Sequence, residues 1–230
     1  MESFNIYGDS SSEELNGYGV DISLQRTDAL DIDLLHEVGA LQLKNIRVID
    51  LGCGMGGQSI RLASLGCYVT AVDTQDFSKG IQESCNNQKI PNDRVVFIKC
   101  DIRYTSEYLS GDYHYFYSQR AFHYIDYKDS EKLLNTLRQH FVRNFKGKLF
   151  ISVSGIGSEL GEGYEDKNKP VQYRFCKLSK EMRDKHKIML PVCLFSLDEF
   201  RDLLLKCKYS FDKIYASDFG NIKAIAEPLK

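Results

Sequence analysis

The chain has 230 residues, 43% apolar and 27% charged, with a formal net charge of −2. This composition is ordinary for one soluble folded domain with a substantial core, and it offers no global electrostatic case for nucleic acid or an anionic membrane surface. The seven cysteines include no C-x-x-C pair, and an odd count suits reduced thiols in a cytoplasm better than a disulfide framework or a zinc site, so no metal is expected.

The opening residues, MESFNIYGDSSSEEL, lack the basic start and apolar run of a secretory signal. Nowhere do about 18 apolar residues run together, so neither a spanning helix nor a membrane partner is expected. Residues 1–27 are polar and rich in Gly, Ser and Tyr, and read as a mobile N-terminal cap or arm. DALDIDLLHEVGAL spaces Leu30, Leu34, Leu35 and Val38 as one helix face behind acid-rich N-terminal positions, with an end near Gly39. Strand and helix then alternate. NIRVIDL, YVTAVD, RVVFIKCD, YHYFYS and KLFISVS read as strands. GGQSIRLASLG, DFSKGIQESCNNQ and DSEKLLNTLRQHFVRNFKG read as helices, the last being the longest and stopped by Gly147. Near-continuous apolar strands separated by helices imply a parallel sheet covered on both faces. After a final helix, SLDEFRDLLLKCK, the strands YSFDKIYAS and NIKAIAEP are joined by the short turn DFGN. A hairpin there would end the sheet on an antiparallel strand. The expected architecture is an α/β, Rossmann-like, doubly wound, mostly parallel seven-stranded sheet with an antiparallel C-terminal strand, forming a single domain over 1–230. Residues 154–195 form a long insertion at the carboxyl end of the fifth strand, where open α/β sheets place their ligands.

The stretch VIDLGCGMGGQSIRLASLGCYVTAVD, residues 48–73, decides the cofactor class. Gly52, Gly54 and Gly57 satisfy G-x-G-x-x-G, and Asp73 follows about twenty residues on, as a ribose-binding acid should, with Thr74 beside it. Glycines at 52, 54 and 56, with Cys53 between the first two as a small filler, let a backbone approach a nucleoside-bearing ligand. They do not distinguish a dinucleotide from S-adenosylmethionine. Asp50 does. It ends the first strand, where dinucleotide folds carry an apolar residue. A carboxylate there suits the sulfonium and ammonium of S-adenosylmethionine and would repel the phosphates of NAD.

DLGCGMGG resembles the first motif of class I S-adenosylmethionine-dependent methyltransferases of the small-molecule type. The resemblance covers roughly residues 30–155 by motif and the rest by topology. It implies that Asp73 grips the ribose hydroxyls. Asp101, with Ile102 beside the ring, would meet the adenine. YFYSQRAFHYI, residues 115–125, would pass under the methyl group, with Ser118 facing the cofactor. The implied cofactor is S-adenosyl-L-methionine.

Methyl transfer is an in-line displacement in which positioning supplies roughly 7–11 kcal/mol. A base is needed only for a protonated acceptor. His123, in the loop after the fourth strand, is the natural candidate for it, unless it is a structural histidine of that connection. Arg120 joins it as a catalytic candidate or pairs with a surface acid. Tyr117 and Tyr124 could orient the acceptor, though Tyr115 and Tyr117 lean towards packing. Residues 167–187 hold eight Lys or Arg against Glu181 and Asp184, which reads either as a solvated helix face or as a surface for an anionic acceptor. Ser118-Gln119-Arg120-Ala121 is not the segment that DNA-adenine enzymes carry there, and no Pro-Cys stands where cytosine C5 enzymes need one. A small-molecule acceptor remains, with RNA or protein as the less favoured possibilities. Two other functions stay open at this level. One is a non-catalytic S-adenosylmethionine- or S-adenosylhomocysteine-binding regulatory or partner protein, and the other is an NAD-dependent oxidoreductase.

Overall fold

The computed structural model describes residues 13–41 and 45–229. Seven strands form one sheet: β1 (Arg47–Leu51), β2 (Tyr68–Asp73), β3 (Val95–Lys99), β4 (Tyr115–Gln119), β5 (Lys148–Ser154), β6 (Tyr209–Ala216) and β7 (Asn221–Pro228). Their spatial order is β3-β2-β1-β4-β5-β7-β6. The first five pair in parallel, and β7 lies antiparallel between β5 and β6. The expected sheet and its closing hairpin are therefore present. Strand order reverses between β1 and β4, which opens a crevice at their carboxyl ends.

Both sheet faces are buried, and side chains alternate between them as a strand requires. Ile49, Leu51 and Phe116 pack on one side with Leu134 and Leu137 of α4 (Tyr127–Arg138) and with Phe200 and Leu203 of α6 (Leu197–Lys206). Val48, Tyr115 and Tyr117 face the other side, against Leu34 of α1 (Ala29–Leu41), Ile60 of α2 (Gly57–Ser64) and Ile81 of α3 (Ser78–Asn87). Each such side chain contributes about 1.5–3 kcal/mol on burial. The cysteines are all free thiols. No helix among the described residues is long and apolar enough to cross a membrane.

Two expectations change here. The insertion after β5 builds a small core of its own from Leu160, Tyr164, Leu178, Met182, Ile188, Val192 and Leu194. Buried Arg174 ties it down through a two-pronged ion pair with Glu199 at the start of α6 and a bond to the Leu194 carbonyl. The helix expected to run to Gly147 ends at Arg138 instead. Beyond it the chain turns so that the His140 carbonyl accepts the Tyr113 N–H at 2.7 Å and Phe141 packs on Phe116. Gly147 is therefore not a helix stop. A Cβ there would lie 2.6 Å from the His114 carbonyl oxygen and 2.5 Å from the Phe141 ring. Gly147→Ala is expected to destabilise the protein by about 1–3 kcal/mol through overpacking, read as a lower urea midpoint at unchanged m-value.

Candidate functional site: a cleft at the carboxyl ends of β1, β2 and β4

The turn from β1 into α2 is held by hydrogen bonds from the Gly52 and Cys53 N–H groups to the Val72 carbonyl, at 2.8 and 3.0 Å. Gly54 N–H donates to the Asp73 carboxylate at 2.9 Å, so the acid at the end of β2 is fixed to the glycine turn itself. Other segments crowd this turn. Gly52 has φ 71° and a Cβ there would fall 2.3 Å from Ala121, while one on Gly54 would fall 2.0 Å from an Asp21 oxygen. Only glycine tolerates both the left-handed backbone and the contact.

That Asp21 contact revises the picture of residues 1–27. Residues 1–12 lie outside the described residues. Val20–Asp21 pairs with Glu13–Glu14 as a short antiparallel ladder, and the chain after it docks on the glycine turn. Asp21 accepts the Met55 N–H at 2.7 Å, Ser23 Oγ accepts that of Gly57 at 3.3 Å, and Arg61 donates to the Ser23 carbonyl at 2.7 Å. Further along, Tyr18 bridges to Ile188 of the insertion, and its carbonyl accepts the Tyr124 hydroxyl. The N-terminal segment and the insertion thus meet over one cleft of about 1470 Å³. Pockets for a single small ligand run to roughly 300–1,000 Å³, so this one has room for two.

Of the sequence candidates, Asp50, Gly52, Cys53, Gly54, Asp73, Thr74, Asp101, Ile102, Arg120 and His123 line this cleft. Ser118 and Gly56 do not belong to its wall. Ser118 is fully buried and donates to the Leu51 carbonyl at 2.9 Å, stitching β4 to β1. Gly56 starts α2 in left-handed conformation under Ile81. Residues that sequence reading passed over also line it: Asp21, Ser23, Asp28, Asp31, Gln119 and Lys223. Asp28 caps α1 through one oxygen, bonding the Leu30 N–H at 2.7 Å. With the other it accepts Lys223 Nζ at 2.8 Å and the Gln119 amide. Tyr117 donates to Asp31. The acid-rich start of α1 was the one local signal for this cluster.

Burial pushes Asp50 up to about 7, against the help of a 2.6 Å hydrogen bond from Ser59. Asp73 is raised, chiefly by burial, with hydrogen bonds from the Gln75 and Gly54 amides opposing. Burial also acts on Asp101, but the forked Arg103 prevails and holds that carboxyl below its usual range. Buried His123 is pushed down to about 3, with the Arg120 charge adding to the effect. Such a ring stays neutral near pH 7 and is a feeble proton acceptor, which counts against the general-base expectation.

Residues 48–144 match a family profile described as a methyltransferase domain. This segment is a methyltransferase domain. No curated protein sequence matches the chain. Among solved structures, the chain is similar to the S-adenosylhomocysteine-bound magnesium protoporphyrin IX methyltransferase of Synechocystis. The two share 16% identity over 86% of this chain and 81% of that one, at TM-score 0.60. It is also similar to the 1,6-didemethyltoxoflavin-N1-methyltransferase of Burkholderia thailandensis, with 17% identity over 88% and 79% and TM-score 0.60. A third likeness is to an S-adenosylmethionine-dependent methyltransferase of Clostridium acetobutylicum, with 11% identity over 87% and 91% and TM-score 0.64. At these identities the likenesses speak to the fold. The first two of these were solved with S-adenosylhomocysteine bound.

The Asp50 and His123 shifts give opposite signs over one pH window. Between about 4 and 7 native Asp50 holds a proton that the unfolded chain has lost, so stability falls as pH rises. Between about 3 and 6.5 the unfolded chain binds a proton on His123 that the native ring refuses, so stability rises. Asp50→Asn removes the first contribution and keeps an acceptor for Ser59. Urea unfolding of this variant from pH 4.5 to 6.5 is expected to rise with pH more steeply than wild type, by up to about 1.4 kcal/mol per unit. Parallel curves would show that Asp50 ionises normally.

Proposed function

We propose that the protein transfers a methyl group by in-line displacement to an oxygen, nitrogen or other soft nucleophile of a small, anionic acceptor. The observation that supports this most is the continuity of the cleft, in which the glycine turn and Asp73 share one cavity with Arg120, His123 and the insertion. When bound, S-adenosylmethionine supplies a methyl already activated on a sulfonium: the acceptor–carbon bond forms as the carbon–sulfur bond breaks, and sulfur keeps the electron pair. The work left to the chain is alignment and exclusion of water. Asp73 and Thr74 would hold the ribose, Asp101 and Ile102 the adenine, and Asp50 with the Gly52–Gly54 backbone the aminoacyl end. Gln119, fixed by Asp28, and Tyr117, fixed by Asp31, form a rigid wall at the end of β4. Tyr18 and Ile188 close the roof. We read the whole chain as one domain, with the N-terminal segment and residues 154–195 choosing the acceptor. The two small-molecule methyltransferases to which it is similar, acting on a porphyrin and a toxoflavin precursor, support an acceptor of that size.

Incubating the protein with methyl-labelled S-adenosylmethionine and a cell extract tests this. Label is expected in low-molecular-weight acids retained on an anion exchanger, and a chiral methyl donor is expected to give inverted product. Label confined to RNA or protein, or retention of configuration, would contradict the reading.

A further inference from the structure

The cleft is lined by charges of both signs. The wall near the glycine turn carries Asp21, Asp28, Asp31, Asp50, Asp73 and Asp101, an excess of acid over the cations there even after Lys223 pairs with Asp28 and Arg103 with Asp101. The same cleft is also lined by Arg26, Arg120, Lys185 and Lys187, by two imidazoles, His123 and His186, and by the acids Glu159 and Asp218. Glu159 is engaged by both Lys185 and His186. Half of the other cations of the basic run pair elsewhere: Lys169 with Asp166, Arg174 with Glu199 and Lys180 with Asp184. Only its end, at 185–187, reaches the cleft.

Arg120 differs from its neighbours. Among the described residues its guanidinium makes no ion pair or hydrogen bond, although its backbone is pinned by bonds from its N–H to the Ser152 carbonyl (3.0 Å) and hydroxyl (3.1 Å). It holds φ 52°, a left-handed conformation that costs a long side chain about 1–3 kcal/mol and that glycine would adopt freely. Three residues on, His123 is 2% exposed and stacks 4.1 Å from the Tyr124 ring, yet neither ring nitrogen has a hydrogen-bond partner among the described residues. Leaving buried polar groups unmet costs about 1–3 kcal/mol. Arg120 and His123 line the same cleft, and the Arg120 charge is felt at the His123 ring. An unpaired cation and a buried, unmet N–H donor, three residues apart in the chain, therefore line one cleft with the acids that suit a cationic donor.

We propose that Arg120 and His123 form a recognition site for an anionic group of the acceptor, a carboxylate or a phosphate, and so position the acceptor rather than take its proton. This rests on the methyl-transfer reading above. A guanidinium grips either group in two-pronged fashion, and the neutral imidazole adds one N–H bond.

The test uses the S-adenosylhomocysteine complex, titrated calorimetrically with benzoate and phenyl phosphate and with their uncharged counterparts, benzamide and phenol. At least one anion is expected to bind at least about tenfold more tightly than its neutral counterpart. Arg120→Gln should abolish that preference, Arg120→Lys should restore part of it and His123→Phe should weaken it several-fold. S-adenosylhomocysteine affinity and the melting temperature should stay near wild type in all three. Which anion wins tells carboxylate from phosphate. Equal binding of anions and neutral compounds, or an anion preference that survives Arg120→Gln, would overturn the proposal. The preceding S-adenosylhomocysteine titration judges the donor reading separately, since its failure would sink that reading and not merely the anion site.

Discussion

The whole site is referred to a short glycine turn that must stay thin. Between Leu51 and Gly57 the backbone passes within touching distance of Ala121 from the β4 loop, Asp21 from the N-terminal segment and the Ser23 carbonyl. Any side chain larger than hydrogen at those points would push apart the segments that define the cleft. The same turn donates to Val72 and Asp73, so β1, β2, β4 and the N-terminal segment are all registered on one stretch of main chain. Hydrogen bonds of this kind contribute only about 0.5–1.5 kcal/mol each. Their value here is geometric, because they fix four independent segments against a common reference.

The second organising feature is the concentration of charge. A chain with net charge −2 has no overall field to speak of, yet it gathers six aspartates, Arg120 and the end of α5 (Lys180–His186) into the lining of one cleft. A low-dielectric cleft strengthens such interactions relative to water. It also explains why Asp50 sits near neutrality. Three other carboxylates, Asp31, Asp73 and Asp21, act on it in addition to its burial, so its charge is most favourable when a cation is near.

What the sequence made legible was what is local. β1 and β2 are short β-branched runs, and the spacing from Gly52 to Asp73 is set by one strand–turn–helix–strand unit. Both could be read in one dimension. The basic run was visible too, but its partners were not: Glu199 and Glu159 reach Arg174 and Lys185 only after folding. Ser118 looked like a ligand-facing hydroxyl because nothing nearby reveals that the Leu51 carbonyl, 67 residues away, needs a donor. Asp21 and Ser23 sit in an unpatterned polar stretch, and their docking on the glycine turn spans 34 residues. Gly147 shows the converse error. It resembled a helix stop, whereas its constraint comes from Phe141 and His114 crowding the place where a Cβ would stand.

The measurement that bears most directly on the central claim is calorimetric titration of the wild-type chain and of Asp73→Ala with S-adenosylmethionine, S-adenosylhomocysteine and NADH. If the glycine turn and Asp73 hold a methyl donor, the first two ligands bind wild type at micromolar concentration, the variant loses at least about tenfold in affinity, equivalent to 1.4 kcal/mol, and NADH gives no heat of binding. Binding of NADH without either adenosyl ligand would contradict the account and return the chain to the dinucleotide-dependent oxidoreductases.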